Sequence, residues 1–208
     1  MKYLLTYPDV VLRLFAEHVG LTAISLAVAL MISLPLGWLL FHKRKLVGPV
    51  LGALGVLYTV PSIALIILLI PFFGLNERSV IIALVIYCQV ILTRNTLVGL
   101  DGIDKSIIEA ARGMGMNKLQ IAARIQLPLA LPVILAGVRV AAVAAVAIAT
   151  VGAKFGAGGL GTLLFDGIAQ AGRMDKIVLG ALLVAVLAWI INLSLKKLET
   201  RFAPQLRV

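Results

Sequence analysis

The feature that most constrains this chain is a series of long apolar segments separated by short polar ones. Five segments are long enough to cross a bilayer: residues 19–41, 49–73, 78–99, 129–150 and 177–195. A bilayer core of about 30 Å needs about 20 mostly apolar residues in a helix. Within lipid, helices satisfy every backbone polar group internally. The sequence therefore predicts an all-α integral membrane protein with about five transmembrane helices.

Composition supports the membrane class and opposes a nucleic-acid partner. Of the 208 residues, 62% are hydrophobic and only 13% are charged, whereas ordinary domains are about half apolar and about 25% charged. The net charge of +10 comes from short loops beside apolar segments, which is typical of membrane topology. The single cysteine, Cys88, lies in an apolar run and forms no internal disulfide.

The first 18 residues differ from the segments that follow them. Apolar residues recur near helical spacing among charged ones, and the stretch lacks the order of regions found in a cleavable signal peptide. We expect residues 1–18 to form an amphipathic helix on the membrane surface. Residues 19–208 then form the transmembrane domain.

The distribution of Lys and Arg predicts the orientation of five spans. One face carries Lys43, Arg44, Lys45, Arg94, Lys105, Arg112, Lys118, Arg124, Lys196, Lys197, Arg201 and Arg207. The other carries Lys2, Arg13, Arg78, Lys154, Arg173 and Lys176, a set half as large. Because cytoplasmic loops are enriched in Lys and Arg, we expect the larger set inside. The N-terminus is then outside, and the C-terminus and loop 101–128 are inside.

Loop 101–128 is a polar island with its own helical signals. Residues 106–114 favour a short helix, which Asp104 or Ser106 would cap. Gly113 and Gly115 favour a break and a sharp turn. The chain restarts at Asn117, and four apolar residues follow that we assign to one face: Leu119, Ile121, Ala122 and Ile125. Such a loop either binds a partner or packs on its own protein.

The spacing within this loop resembles that of a known family. Glu109-Ala110-Ala111 is followed after three residues by Gly115, after nine more by Ile125, and then by Leu127-Pro128. This resembles the loop by which permease subunits of bacterial ABC importers dock on their ATPase. The resemblance implies that the ATPase-coupling interface is formed by Glu109, Ala110, Ala111, Gly115, Ile125, Leu127 and Pro128.

The same resemblance implies a subunit that couples and conducts but does not catalyse. The sequence has no GxxxxGK[ST] phosphate loop, so ATP and Mg would be bound by the partner ATPase. No catalytic residues and no metal-ligating pattern are predicted, and no cofactor is expected in this chain. The implied partners are ABC ATPase subunits, a second permease copy or paralogue, and an extracytoplasmic substrate-binding protein.

Four further stretches narrow the resemblance to osmoprotectant permeases. They are residues 58–65, 93–96, 130–139 and 156–162. Related permeases carry glycine betaine, choline, carnitine or proline betaine, so the resemblance implies such a substrate, a methionine-importer-like permease fold and a bacterial inner membrane location. Another small solute such as methionine is the main alternative. A membrane scaffold that recruits a cytosolic partner is a second one.

Four residues within predicted spans are candidates for the translocation path: Pro61, Gln89, Asn95 and Arg139. Pro61 either frees carbonyl groups for the path or simply bends its helix. Gln89 lines the path or bonds to a neighbouring helix, and Asn95 is a gate residue or an interfacial anchor. Arg139 faces the path, or pairs with an acid or backbone carbonyls.

Aromatic residues make up only 6% of the chain, and the sequence suggests no cluster of them at one depth. Quaternary ammonium groups are commonly held by aromatic rings. The sequence therefore predicts a passive conduit whose selectivity resides in the separate binding protein.

Overall fold

The computed structural model describes residues 2–203, and every regular element within that range is helical. The helices are α1 (Lys2–Thr6), α2 (Pro8–His42), α3 (Val47–Thr59), α4 (Ser62–Phe73), α5 (Glu77–Asp101), α6 (Lys105–Gly113), α7 (Lys118–Ile121), α8 (Leu127–Gly152), α9 (Gly161–Ala169) and α10 (Met174–Phe202). Residues 204–208, which include Arg207 and the end of the predicted transmembrane domain, lie outside the described part.

Four helical stretches of the described chain are long and apolar enough to cross a bilayer. They are α2, α5, the continuous stretch Lys118–Phe155 that contains α8, and α10. The bent pair α3 and α4 supplies a fifth when it is counted as one span. The prediction of an all-α protein with about five apolar spans is confirmed.

The first span begins earlier than the sequence suggests. Helix α2 comprises 35 residues and runs without interruption through residues 18 and 19. Pro8 starts it, as proline is tolerated in a first helical turn. At 1.5 Å per residue α2 is about 52 Å long, which exceeds the bilayer core of about 30 Å. Residues 8–18 are therefore the first turns of α2 rather than a separate helix.

The predicted segment 49–73 is divided into two helices. Helix α3 ends at Thr59 and α4 begins at Ser62, and their axes are bent by 96°. Pro61 has no backbone N–H to continue α3. The residue before a proline is also driven out of the helical region, and Val60 is accordingly extended, with φ −63° and ψ 128°. The break thus lies at the Val60–Pro61 step.

Helix α5 is the central element of the molecule and packs along α2 and α8. Small residues permit this close approach. A Cβ on Gly37 of α2 would lie 2.6 Å from Cβ of Thr96, and one on Gly137 of α8 would lie 2.5 Å from Cβ of Asn95. Helix α10 packs against α8 and α9. This packing fixes both ends of α5, and loop 101–128 begins at one of them.

Candidate coupling loop and translocation path

An ion pair ties the start of loop 101–128 to the turn after α2. The guanidinium of Arg44 donates to both carboxylate oxygens of Asp101, with Nη1 lying 2.7 Å from Oδ2. Bidentate pairing of this kind fixes the relative geometry of two groups. The basic stretch Lys43–Lys45 and the loop therefore lie at the same end of the molecule.

Helix α6 carries the Glu-Ala-Ala stretch. Its N-cap is Asp104, whose Oδ1 accepts a hydrogen bond of 2.8 Å from the backbone N–H of Ser106. This bond holds the pKa of Asp104 below its ordinary value. Glu109 and Ala110 are exposed, while Ala111 is 1% exposed. One side of α6 thus packs on the protein, and the other leaves a carboxylate and a small side chain exposed.

Gly115 ends α6 in a left-handed turn. Its φ is +78°, its N–H donates to the Arg112 carbonyl, and the Met116 N–H donates to the Ala111 carbonyl. These two bonds form a Schellman motif, which closes a helix and usually requires glycine at this position. Gly113, by contrast, is the last residue of α6. The predicted sharp turn therefore depends on Gly115 alone.

The chain restarts through a capping box. The Asn117 side chain accepts from the backbone N–H of Gln120, and the Gln120 side chain accepts from that of Asn117, both at 2.9 Å. The predicted common apolar face of this segment is wrong. Ile121 is 5% exposed and Leu119 is 78% exposed, because residues two apart on a helix lie on opposite sides.

A π-helical segment, Ala122–Gln126, joins α7 to α8. Such segments insert an extra residue into a turn and are frequent at functional sites. Ile125 is half-buried, whereas Leu127 and Pro128 are exposed at the first turn of α8. The last three residues of the motif therefore lie at the start of a long apolar helix or directly before it.

Three exposed apolar side chains in this loop were not singled out from the sequence as contact residues. They are Ile107, Met114 and Leu119, with exposed fractions of 41%, 73% and 78%. Exposed apolar groups within a polar loop are typical of a protein contact surface. Met114 directly precedes the Gly115 turn and Leu119 lies within the capping box, and this position beside the capping residues was the available signal.

The four path candidates contact different neighbours. Gln89 is buried and donates to the Ala29 carbonyl of α2 at 3.3 Å, and its Oε1 has no partner within residues 2–203. Asn95 donates to the Ile91 carbonyl of its own helix at 2.8 Å. Pro61 is exposed at the α3–α4 break.

Arg139 faces α10. Its Nε lies 3.1 Å from Oε2 of Glu199, and its Nη1 lies 3.4 Å from Oδ1 of Asn192. Together with the contacts of Gln89, Asn95 and Pro61, this arrangement does not place the four candidates on one common surface.

A cavity of about 400 Å³ lies at the opposite end of α5. It is lined by Glu17, Gly20, Leu21, Ile24, Glu77, Gly156, Ala157 and Gly158. The Glu17 carboxylate also accepts a hydrogen bond of 3.0 Å from the Gly159 N–H. This end of the molecule therefore combines a cavity with two carboxylates, whereas the end that carries loop 101–128 is basic.

Residues 2–203 hold no group of three or more His, Cys, Asp or Glu side chains arranged for a metal ion. Helix α5 instead carries buried Cys88 in an apolar setting. The described geometry consists of an exposed, internally capped loop at one end and a packed helical bundle behind it.

Comparison with known proteins identifies the family. Residues 23–208 match the family described as the binding-protein-dependent transport system inner membrane component. The carnitine transport permease protein OpuCB of Listeria monocytogenes is 41% identical over 187 residues, which cover 90% of this chain and 84% of that protein. The osmoprotectant import permease protein OsmW of Salmonella typhimurium is 35% identical over 99% of this chain and 97% of its own length.

Solved structures confirm the fold. A chain of the MetNI methionine ABC transporter, crystallised in inward facing conformations, superposes with a TM-score of 0.84 at 23% identity, covering 93% of this chain and 96% of that one. A chain of an amino acid ABC transporter crystallised with histidines superposes with a TM-score of 0.71 at 18% identity. The match covers 97% of this chain and 96% of that one. With its helices and its sequence thus matched over nearly their full length, this chain belongs to the inner membrane components of binding-protein-dependent transport systems and is a permease subunit of an ABC importer.

Proposed function

We propose that this permease imports osmoprotectants such as glycine betaine, choline or carnitine. The observation that carries the proposal is its similarity, over nearly the whole chain, to permeases named for these solutes. Besides the two relatives above, the glycine betaine/carnitine/choline permease OpuCB of Bacillus subtilis is 31% identical over 99% of this chain. The two carboxylates at the cavity opposite the coupling loop suit the entry of a quaternary ammonium group.

Coupling to ATP hydrolysis is assigned to loop 101–128. Exposed Glu109 and Ala110 on α6, followed by exposed Met114 and Leu119, give a partner ATPase a surface of one charge and several apolar groups. Side-chain caps at Asp104 and Asn117 order the two short helices of the loop. Leu127 and Pro128 open α8, and a displacement of the docked loop therefore reaches the spans without an intervening flexible linker.

The proposed orientation places the coupling loop in the cytoplasm, with the N-terminus outside and the C-terminus inside. The Arg44–Asp101 pair supports this arrangement, because it groups the basic turn after α2 with the loop. Basic loops favour the cytoplasmic face. The cavity near Glu17 and Glu77 then faces the extracytoplasmic side, where a substrate-binding protein delivers its cargo.

The working transporter contains two permease chains, identical or paralogous, with two ATPase subunits that bind ATP and Mg. Closure of the ATPase pair moves both coupling loops and opens the space between the permeases to the outside. Hydrolysis resets the assembly. The permease supplies the path and the docking surface, and the chemistry of ATP belongs to its partner.

An importer for methionine is the alternative that a specific observation favours, because the MetNI chain has the same fold. Uptake by proteoliposomes that hold the complete transporter discriminates between the two. We expect radiolabelled glycine betaine, choline or carnitine to accumulate with ATP, and unlabelled methionine not to compete. Accumulation of methionine without any of the three would contradict the proposal, as would ATP-independent accumulation.

A further inference from the structure

The α3–α4 break places backbone polar groups in the middle of an apolar segment. The last carbonyls of a helix and the first N–H groups of the next have no intrahelical partners, and here the two helices meet at 96°. On the α3 side Val60 N–H donates to the Leu57 carbonyl at 3.3 Å, and on the α4 side Leu65 N–H donates to the Pro61 carbonyl at 3.0 Å. Within a membrane, such a break is tolerated where protein or water covers it.

Two tyrosines, distant in sequence, meet at this break. The hydroxyl of Tyr87, on α5, donates to the Val60 carbonyl. The ring of Tyr58, at the end of α3, packs edge to face on the Tyr87 ring with centroids 5.6 Å apart. Tyr87 is 6% exposed and Tyr58 is 46% exposed. The inner ring is therefore fixed by its hydroxyl and supports an outer ring that is free to contact another molecule.

A charged residue lies on the same side of α5. Arg94 follows Tyr87 by seven residues, which is close to two helical turns and about 10 Å along the axis. Between residues 79 and 100 only Arg94 and Val98 are exposed. The side chain of Arg94 makes no hydrogen bond or ion pair within residues 2–203. A charge in an apolar span usually faces a hydrated cavity or a partner rather than lipid, so this side of α5 is not a simple lipid contact.

We propose that Tyr58, supported by Tyr87, is a contact point for the quaternary ammonium group of the substrate as it passes the α3–α4 break. Electron-rich ring faces attract such groups, and desolvation strengthens the attraction. Repulsion from Arg94 opposes this attraction but is reduced by the separation of about 10 Å along the α5 axis. The inference rests on the proposed function, and it gives this subunit a share in selecting its substrates, which the sequence analysis assigned to the binding protein alone.

The test uses proteoliposomes with the complete transporter and measures choline and glycine betaine uptake together with ATPase activity. Tyr58→Leu removes the ring, and Tyr58→Phe and Tyr58→Trp retain one. Tyr7→Leu is the matched control, because Tyr7 is 48% exposed and packs on Tyr3 at 5.0 Å between centroids. We expect Tyr58→Leu to reduce uptake per ATP hydrolysed about fivefold, as the loss of one cation–π contact predicts. The other three variants stay within about twofold of wild type.

Two results would overturn the inference while leaving the proposed function intact. One is wild-type uptake by Tyr58→Leu. The other is an equal loss in Tyr58→Phe and Tyr58→Leu, which would assign the effect to the hydroxyl group rather than the ring. Failure of the proposed function is seen separately, as a wild-type transporter that accumulates neither choline nor glycine betaine.

Discussion

Arg139 on α8 and Glu199 on α10 form an ion pair, with Nε and Oε2 3.1 Å apart and side chains 29% and 24% exposed. Asn192 adds a second contact to the same guanidinium. The pair lies between two long apolar helices, where an uncompensated charge is costly. It therefore gives Arg139 a structural partner sixty residues away and anchors α10 to the bundle.

Glu199→Gln is expected to destabilise the permease by about 2 kcal/mol, because it leaves a partly buried guanidinium without its countercharge. Thermal unfolding in detergent, followed by size-exclusion chromatography, measures the effect. The exchange Arg139→Glu with Glu199→Arg should recover much of the loss. If Glu199→Gln unfolds at the wild-type temperature, the pair does not anchor α10.

Gly37→Ala tests the close approach of α2 and α5. The new Cβ would lie 2.6 Å from both Cβ and Cγ2 of Thr96, so the helices must separate at a cost of about 1–3 kcal/mol. Gly20→Ala, in the same helix, is the matched control because its Cβ meets nothing within 4 Å. Gly37→Ala should lower the unfolding temperature, and Gly20→Ala should keep or raise it. Equal behaviour of the two variants would refute the packing argument.

Gly115→Ala tests the left-handed turn of the coupling loop. Because residue 115 has a φ of +78°, an alanine there strains the backbone by about 1–2 kcal/mol. The added Cβ itself meets nothing within 4 Å. Gly113→Ala is the matched control. Its Cβ also meets nothing within 4 Å, and alanine favours the helical conformation that residue 113 has in α6. Titration of the purified ATPase onto the permease should show weaker binding for Gly115→Ala and unchanged binding for Gly113→Ala. Weaker binding by both would indicate that bulk, rather than backbone conformation, matters here.

Local signals in the sequence predicted the helix bounds and the caps within loop 101–128 well. The expected helix over residues 106–114 differs from Lys105–Gly113 by one residue at each end, because Asp104, Gly115 and Asn117 determine capping within a few residues of themselves. Leu119 was misassigned because a four-residue helix is too short for an apolar pattern to define a face.

Features that depend on distant contacts could not be read from the sequence. Pro35 and Pro71 lie inside continuous helices, whereas Pro61 separates two, although all three are prolines in apolar runs. The difference involves the Tyr87 hydroxyl, which binds the Val60 carbonyl at the break from another helix. The meeting of Tyr58 with Tyr87 likewise requires the tertiary structure, so the aromatic pair was not anticipated.

The most direct test of the account is radiolabelled glycine betaine uptake by cells that lack their own osmoprotectant systems and express this permease with its ATPase and binding protein. Gly115→Asp alters the coupling loop. Gly172→Asp is its matched control, since Gly172 also has a positive φ, +74°, and open space around it, but lies between α9 and α10. We predict ATP-driven uptake by wild type and Gly172→Asp, and loss of at least about 90% in Gly115→Asp at equal membrane insertion. Wild-type uptake by a correctly inserted Gly115→Asp variant would contradict coupling through this loop.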